Sequence, residues 1–375
     1  MVNHQGPLKG LRIVEFAGIG PGPYCGMLLA DLGAEVIQID RPAGATAAYG
    51  LDPTRDVLNR GRRSVVLDLK DPAALEQALQ LVDGADALIE GNRPGVAERL
   101  GFGPEVCLAR NPRLVYGRVT GWGQNGPKAQ QAGHDINYIA LSGALHVCGR
   151  AGERPAIPQN FIGDMAGGGM LLAFGIACAI IEAKGSGKGQ VVDAAMIEGA
   201  ASQLSAILTV RAAGRFDDAR GTHFGDGGAH FYEVYETADH KYISVGAIEP
   251  AFYRAFREGA GLLDDPQFDE QMNERAWPEL KEKVARRIAT KTRGEWVEIF
   301  SPEACVAPVL SLSEVEDDPH MAARGVFFRQ GDVLQPAPVP KFSRTPGGVG
   351  CASPRRGADT QAVLNELATK SGFKA

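Results

Sequence analysis

The side chains able to move protons or attack a carbonyl are few. No G-x-S-x-G elbow is present, and none of the seven histidines falls in an H-x-x-x-H or H-x-H arrangement. Serine-hydrolase and metallohydrolase chemistry therefore lack support, and no metal ligand set is expected. What remains is Gly133-His134-Asp135, at a loop-to-helix boundary, and Gly163-Asp164, at the start of an apolar helix. An imidazole changes charge near neutral pH and exchanges protons readily. Each group also has a structural reading: an Asp at a helix start caps an orphan N–H, and an isolated His often serves the fold. Both readings stay open at this level.

Anion binding has weaker carriers. Gly18-Ile19-Gly20-Pro21-Gly22-Pro23 lies between a strand and a helix, with Asp40 further on, yet the third glycine of G-x-G-x-x-G would fall at Pro23. The spacing does not fit a dinucleotide. Gly185-Ser186-Gly187-Lys188-Gly189 lacks the first Gly and the Ser/Thr of a Walker loop and reads as a solvated turn. Arginines cluster at early strand ends: Arg41, then Arg55, Arg60, Arg62 and Arg63, then Arg93. Ligands of open α/β sheets sit at the carboxyl ends of strands, so Arg41 and Arg93 could meet a phosphate; ordinary surface arginines are the alternative.

The elements that must position these groups alternate short apolar runs with helical patterns, the signature of a parallel sheet wrapped by helices. Strands are predicted at 11–17, 35–40, 64–69, 86–91, 113–121 and about 190–196, with helices between. The long apolar helix follows Asp164, and another runs to about 214. Residues 215–229, rich in Gly and Asp, read as a linker. FYEVYETADHKYISVGAIE reads as a β-hairpin opening a second domain of two or three amphipathic helices. VAPVLSLSEV and the Pro-rich tail read as a surface return path. This gives a large domain at 1–214, completed by about 325–375, a linker at 215–229 and a small α+β domain at 230–324.

Composition bounds the class. With 44% hydrophobic and 22% charged residues the chain is globular, and 39 basic against 45 acidic residues leave −6, which argues against a nucleic-acid partner. The six cysteines include no C-x-x-C pair and read as reduced thiols of a cytoplasmic protein. The N-terminal MVNHQGPLKGLRIVEF lacks the pattern of a secretory signal, and the terminal SGFKA carries no evident address. Met165 to Ile181 is uncharged and reaches the ~17-residue lower limit of a membrane span. Its Gly content and lack of basic flanks favour a core helix, so no membrane partner is expected.

PLKGLRIVEFAGIGPGP, LADLGAEVIQIDRP, EGNRPGVAERLG, GHDINYIALSG, GDMAGGGM, GKGQVVDAAM, DGGAHFYEVYETADHKYISVGAIEP and ACVAPVLSLSEV together resemble the family III CoA-transferases, of the CaiB/BaiF type. Within them they look like the α-methylacyl-CoA racemase branch. The resemblance spans about residues 7 to 345. It implies an interlocked homodimer with a Rossmann-like large domain and a small domain, the active site lying between the large domain of one subunit and the small domain of the other. In the transferase branches the residue matched by Asp164 is a nucleophile. The racemase branch carries G-H-D-I-N-Y, matched by Gly133, His134, Asp135, Ile136, Asn137 and Tyr138, and its histidine and aspartate act as acid and base. Glu249 of GAIEP matches a glutamate that pairs with the histidine. The CoA phosphates and adenine are expected along Arg41, Val66, Leu67, Asp68, Leu69 and Arg93, with CoA part of the substrate and no separate cofactor.

That resemblance makes His134 and Asp164 a pair flanking an acidic carbon beside a thioester. Backbone N–H groups at the helix start near Asp164 are expected to hold the enolate oxygen, with Gly167 to Gly169 admitting the thioester. Two departures from the family pattern, His230 and Asn160-Phe161-Ile162, are expected near the acyl group.

Overall fold

The computed structural model describes residues 5–42 and 52–371. The terminal residues on which the targeting readings partly rest lie outside that range. The chain divides into two compact units, the described residues of Met1–Ser142, Gln159–Leu204 and Gly325–Ala375 in one, and Gly143–Pro158 with Ser205–Arg324 in the other. Residues 143–158 and 205–229 thus cluster with the second unit, where the sequence reading put 143–158 and 205–214 in the large domain and left 215–229 as a linker. Arg220 explains part of this, donating to the carbonyls of His146, at 2.7 Å, and Glu153.

The first unit is built on a six-stranded parallel sheet. Its strands are β1 (Arg12–Phe16), β2 (Glu35–Asp40), β3 (Arg62–Val66), β4 (Ala87–Glu90), β5 (Val115–Thr120) and β6 (Gln190–Ala195), in spatial order β3-β2-β1-β4-β5-β6. Helices α1 (Pro21–Asp31), α2 (Pro72–Asp83), α3 (Val96–Leu100) and α4 (Pro104–Arg110) are followed by α5 (Asp135–Ser142). A ten-residue π-helix, Phe161–Met170, then runs directly into α6 (Leu171–Ser186), and α7 (Met196–Ser202) follows β6. One core lies under α2 and α4 (Leu79, Val82, Leu88, Cys107, Tyr116). The other lies under α1 and α6 (Ile13, Leu29, Val36, Ile89, Val115, Leu172, Ile176). Apolar side chains on both faces of the strands are what a sheet covered on both sides requires.

β3 begins two residues before the predicted third strand because its arginines find acids across the sheet. The Arg62 guanidinium meets Glu15 on β1 at 2.7 Å with both side chains fully buried, and Arg63 meets Glu35 on β2 at 3.0 Å. Helix α1 starts earlier than expected, at Pro21, since proline's fixed φ and missing N–H suit the first helical turn.

Phe161–Ser186 is long and apolar enough to cross a membrane by length and composition. Leu172, Ile176, Ala179, Ile180 and Ala183 are buried in the sheet core, while Phe174 and Ile181 are exposed.

The second unit opens with α8 (Ser205–Ala212) and carries an antiparallel sheet of β7 (Tyr232–Glu236), β8 (Tyr242–Gly246) and β9 (Val306–Val309). β9 corrects the surface reading of VAPVLSLSEV: Val306 to Val309 pair with β8 as a third strand. Helices α9 (Pro250–Ala260), α10 (Trp277–Ile288) and α11 (Arg293–Ile299) pack Phe256, Trp277, Leu280, Val284 and Trp296 into one core, and α12 (Pro319–Arg324) follows. The return segment forms a hairpin, β10 (Phe327–Gln330) with β11 (Val333–Pro336), and helix α13 (Thr360–Ser371).

Candidate functional site

His134 and Asp164 are brought together in the first unit. Gly133 is half-buried because a side chain there would strike Tyr138 and Trp122, and its carbonyl accepts the Tyr138 hydroxyl. The Tyr138 ring packs edge-on to Trp122 with centroids 4.8 Å apart. This anchors the turn that presents His134, whose own N–H donates to Asn137 Oδ1 at 3.0 Å and whose carbonyl accepts the Asn137 N–H at 2.8 Å. The imidazole is left exposed, as are Ile136 and Asn137.

Asp164 sits in the first turn of the π-helix, which begins at Phe161 rather than after Asp164 as predicted. Its carboxyl is half-buried. Burial and the negative charge of Asp135 push it above the usual carboxylate range, against the pull of an Asn160 hydrogen bond and of His134. Asn160 Nδ2 donates to Asp164 Oδ2 at 3.4 Å, so one of the two family departures touches the Asp164 carboxyl. The capping reading of Asp164 is overturned: Asp135 accepts the Asp164 N–H on Oδ1 at 2.6 Å, and the Gly163 N–H as well.

The same contacts correct two further expectations. Backbone donors at Gly163 and Asp164 are already taken, so they do not await an enolate. Gly167, Gly168 and Gly169 are buried against α1 and α7, where an added Cβ would meet protein atoms at 2.7–2.9 Å. They serve close helix packing instead of admitting a thioester. The Gly18–Pro23 loop, set aside as a dinucleotide motif, borders Asp164 instead. Gly20 has φ 68° and ψ −114°, and a Cβ there would lie 3.0 Å from Asp164 Oδ2.

Glu249 belongs to the second unit. It is exposed at the residue before α9 and makes no side-chain cap there. His230 is placed differently from the expectation. It is fully buried among Phe231, Tyr253 and Phe268 in the second unit's core, with Nε2 2.7 Å from Tyr253 Oη.

The expected CoA residues separate into two groups. Arg41, Leu67 and Leu69 line a cleft at the carboxyl edge of the sheet with Phe16, Ala17 and Asn92. The cleft runs across the ends of β3, β2 and β1 to the loop after β4, and so reaches the β1/β4 point where the strand order reverses and open α/β sheets bind ligands. Arg93 lies exposed on the loop after β4, next to Asn92. That loop is fixed by Glu90, which accepts the Asn92 N–H at 2.7 Å and the Arg118 guanidinium at 2.7 Å. Val66 and Asp68 lie outside that cleft's lining: the Val66 N–H donates to Thr360 Oγ1 at 3.0 Å, and Asp68 Oδ1 accepts the Lys70 N–H at 3.1 Å. Arg55, Arg60, Arg62 and Arg63 are spent on carboxylates of the fold, Arg60 on Asp31 at 2.6 Å and Arg55 on Asp332 at 2.8 Å. Arg41 and Arg93 face no carboxylate among the described residues.

Sequence reasoning missed Gly20 and Asn160 as neighbours of the carboxyl, and Glu90 as the brace of the Arg93 loop. A charged residue inside an apolar strand was the available signal for Glu90, as for Glu15, since a buried charge must find a partner.

The α-methylacyl-CoA racemase of Mus musculus is 43% identical over 362 residues, covering 96% of this chain and 93% of that protein. The α-methylacyl-CoA racemase of Homo sapiens is 43% identical over 363 residues with the same coverage. Among solved structures, a CAIB/BAIF family protein from Brucella suis superposes with a TM-score of 0.82 at 26% identity, covering 97% of this chain and 100% of that one. Rv3272 from M. tuberculosis gives 0.78 at 28% identity, covering 96% and 100%. With residues 8–360 matching the family pattern as well, the chain belongs to CoA-transferase family III.

Proposed function

We propose that the protein is an α-methylacyl-CoA racemase that interconverts (2R)- and (2S)-2-methylacyl-CoA thioesters through an enolate. The observation that carries this reading is that His134 and Asp164 meet in one unit, Asp135, the residue after His134, accepting the Asp164 N–H at 2.6 Å. Two relatives of that name at 43% identity support it.

Neutral His134 takes the α-proton from one face, and the C–H electron pair becomes the enolate double bond as the thioester oxygen gains charge. Protonated Asp164 returns a proton to the opposite face, the carbonyl re-forms, and roles reverse for the other epimer. A carboxyl pushed toward its protonated form suits a proton donor. The rival reading, a CoA-transferase with Asp164 as nucleophile, needs the ionised form. For the enolate oxygen, the N–H groups of Asp135 and Ile136 in the first turn of α5 are suitable donors, having no acceptor among the described residues. Arg41 and Arg93 would meet CoA phosphates at the sheet edge. On this reading CoA is part of the substrate, no separate cofactor takes part, and the working form is a homodimer in the cytoplasm. The six cysteines, all free thiols, fit that compartment.

In heavy water, deuterium should enter the α-position of a 2-methylacyl-CoA, and His134→Ala and Asp164→Ala should each lower that exchange ~10²–10⁴-fold. Full exchange in both variants rules the scheme out. Incubation with a free carboxylic acid separates the rival, because only a transferase makes a second acyl-CoA.

A further inference from the structure

The reaction as written gives the side chain of Asp135 no task, yet its surroundings are specific. It is nine-tenths buried in the first turn of α5. Oδ1 receives the Asp164 N–H at 2.6 Å and the Gly163 N–H also acts on the carboxyl, while Oδ2 is sealed from water with no partner among the described residues. A Cβ at residue 163 would stand 2.4 Å from Oδ1, so glycine there lets the carboxyl close on the start of the π-helix.

Two interacting carboxyls withdrawn from water do not both ionise readily, and their hydrogen-bond donors decide which one keeps the proton. Burial pushes Asp135 upward as well, but two backbone N–H groups at a helix start oppose it and favour its charged form. Asp164 has one long bond from Asn160. The other elements packed on this helix offer little competition. α7 turns Met196 and Ala200 toward it, β5 turns Val119, and α1 turns Pro21 and Tyr24, the latter against Gly169. The charged groups that act on Asp164 are Asp135 and His134.

Resting on the racemase reading, we infer that Asp135 is a positioning residue for the proton transfer. Its carboxylate pins the Asp164 backbone, and its charge keeps the Asp164 carboxyl protonated and ready to donate to the enolate face opposite His134. The donated proton forms the new C–H bond with the enolate's electron pair and leaves Asp164 as a carboxylate. His134 holds the proton it removed, so no further reactant is needed.

The test is the pH profile of kcat/KM for α-exchange, measured separately with (2R)- and (2S)-2-methyloctanoyl-CoA. Asp135→Asn keeps an acceptor for both N–H groups and removes the charge. Exchange should persist, with the limb belonging to Asp164 displaced to lower pH for both epimers. Asp135→Ala, which also removes the acceptor, should lose exchange with both. Wild-type limbs in Asp135→Asn overturn the inference. Absence of exchange in the wild type overturns the racemase reading instead. Should Asp135→Asn fail to fold, carboxyl ¹³C titration of the wild type decides the matter. The resonance that Asp164→Asn removes must titrate above the ordinary Asp range, and titration within that range refutes the inference.

Discussion

His230 makes the stability of the second unit depend on pH by an amount that can be worked from its surroundings. Tyr253 has one hydroxyl proton and donates it to the Phe268 carbonyl at 2.9 Å, so His230 Nε2 carries the proton that bridges to Tyr253 Oη. Nδ1 is then an acceptor with no partner among the described residues, in an aromatic cluster. Burial first, and the Arg257 charge second, lower the imidazole from 6.5 to about 4. The folded value lies below the unfolded one, so the unfolded chain binds more protons between them. Stability is therefore complete above about 6.5 and lost as pH falls toward 4. Linkage gives a loss of about 2 kcal/mol between pH 7 and pH 5, approaching ~3 kcal/mol below pH 4. His230→Phe keeps a ring in the cluster and removes this dependence. Urea unfolding at pH 7, 6 and 5 can be followed by tryptophan fluorescence, since Trp277 lies 5.8 Å from Phe231 in the same core. The gap between wild type and variant should shift by about 2 kcal/mol in favour of the variant. An equal loss in both proteins would refute the reasoning.

The buried Arg62–Glu15 pair supports two further expectations. Arg62→Met strands a fully buried Glu15, whose carboxyl burial already pushes upward, and should cost ~3–5 kcal/mol in denaturant unfolding; a loss under 1 kcal/mol contradicts the pairing. Arg62 also donates to the Pro23 carbonyl at the end of the Gly18–Pro23 loop, so that loop depends on it. Gly20→Ala forces a side chain into positive φ beside Asp164, with ~1–3 kcal/mol of strain, and should slow α-exchange by about 10²-fold while circular dichroism is retained. Undiminished exchange would show that the loop does not shape the carboxyl's surroundings.

Local pattern made most of the first unit legible. EVIQID forms β2 at its predicted bounds, Glu35–Asp40, because apolar residues on both faces suit a strand buried under two helix layers. The hairpin read from the alternation and central Asp-His of FYEVYETADHKYISVGAIE is β7 and β8. What misled was context that local pattern does not carry. VAPV is a short, weakly alternating run that becomes β9 only because β8 offers it an open edge. The Arg62-Arg63 pair reads as preceding the third strand and is drawn into β3 by acids on β1 and β2. His230 reads as a departure beside the substrate and is a core residue.

The order of residues by itself determined which groups were available: one imidazole and two carboxyls in GHDINY and GDMAGGGM, an alternating α/β first unit, and basic residues at strand ends. Which carboxyl accepts the backbone N–H at the start of the π-helix was decided by the tertiary structure. Asp135 and Asp164 are chemically identical acids, and only their hydrogen-bond donors and distance from water tell them apart. The Asp135 donors are backbone N–H groups 28 and 29 residues further along the chain, so their arrangement exists only once α5 and the π-helix have packed together.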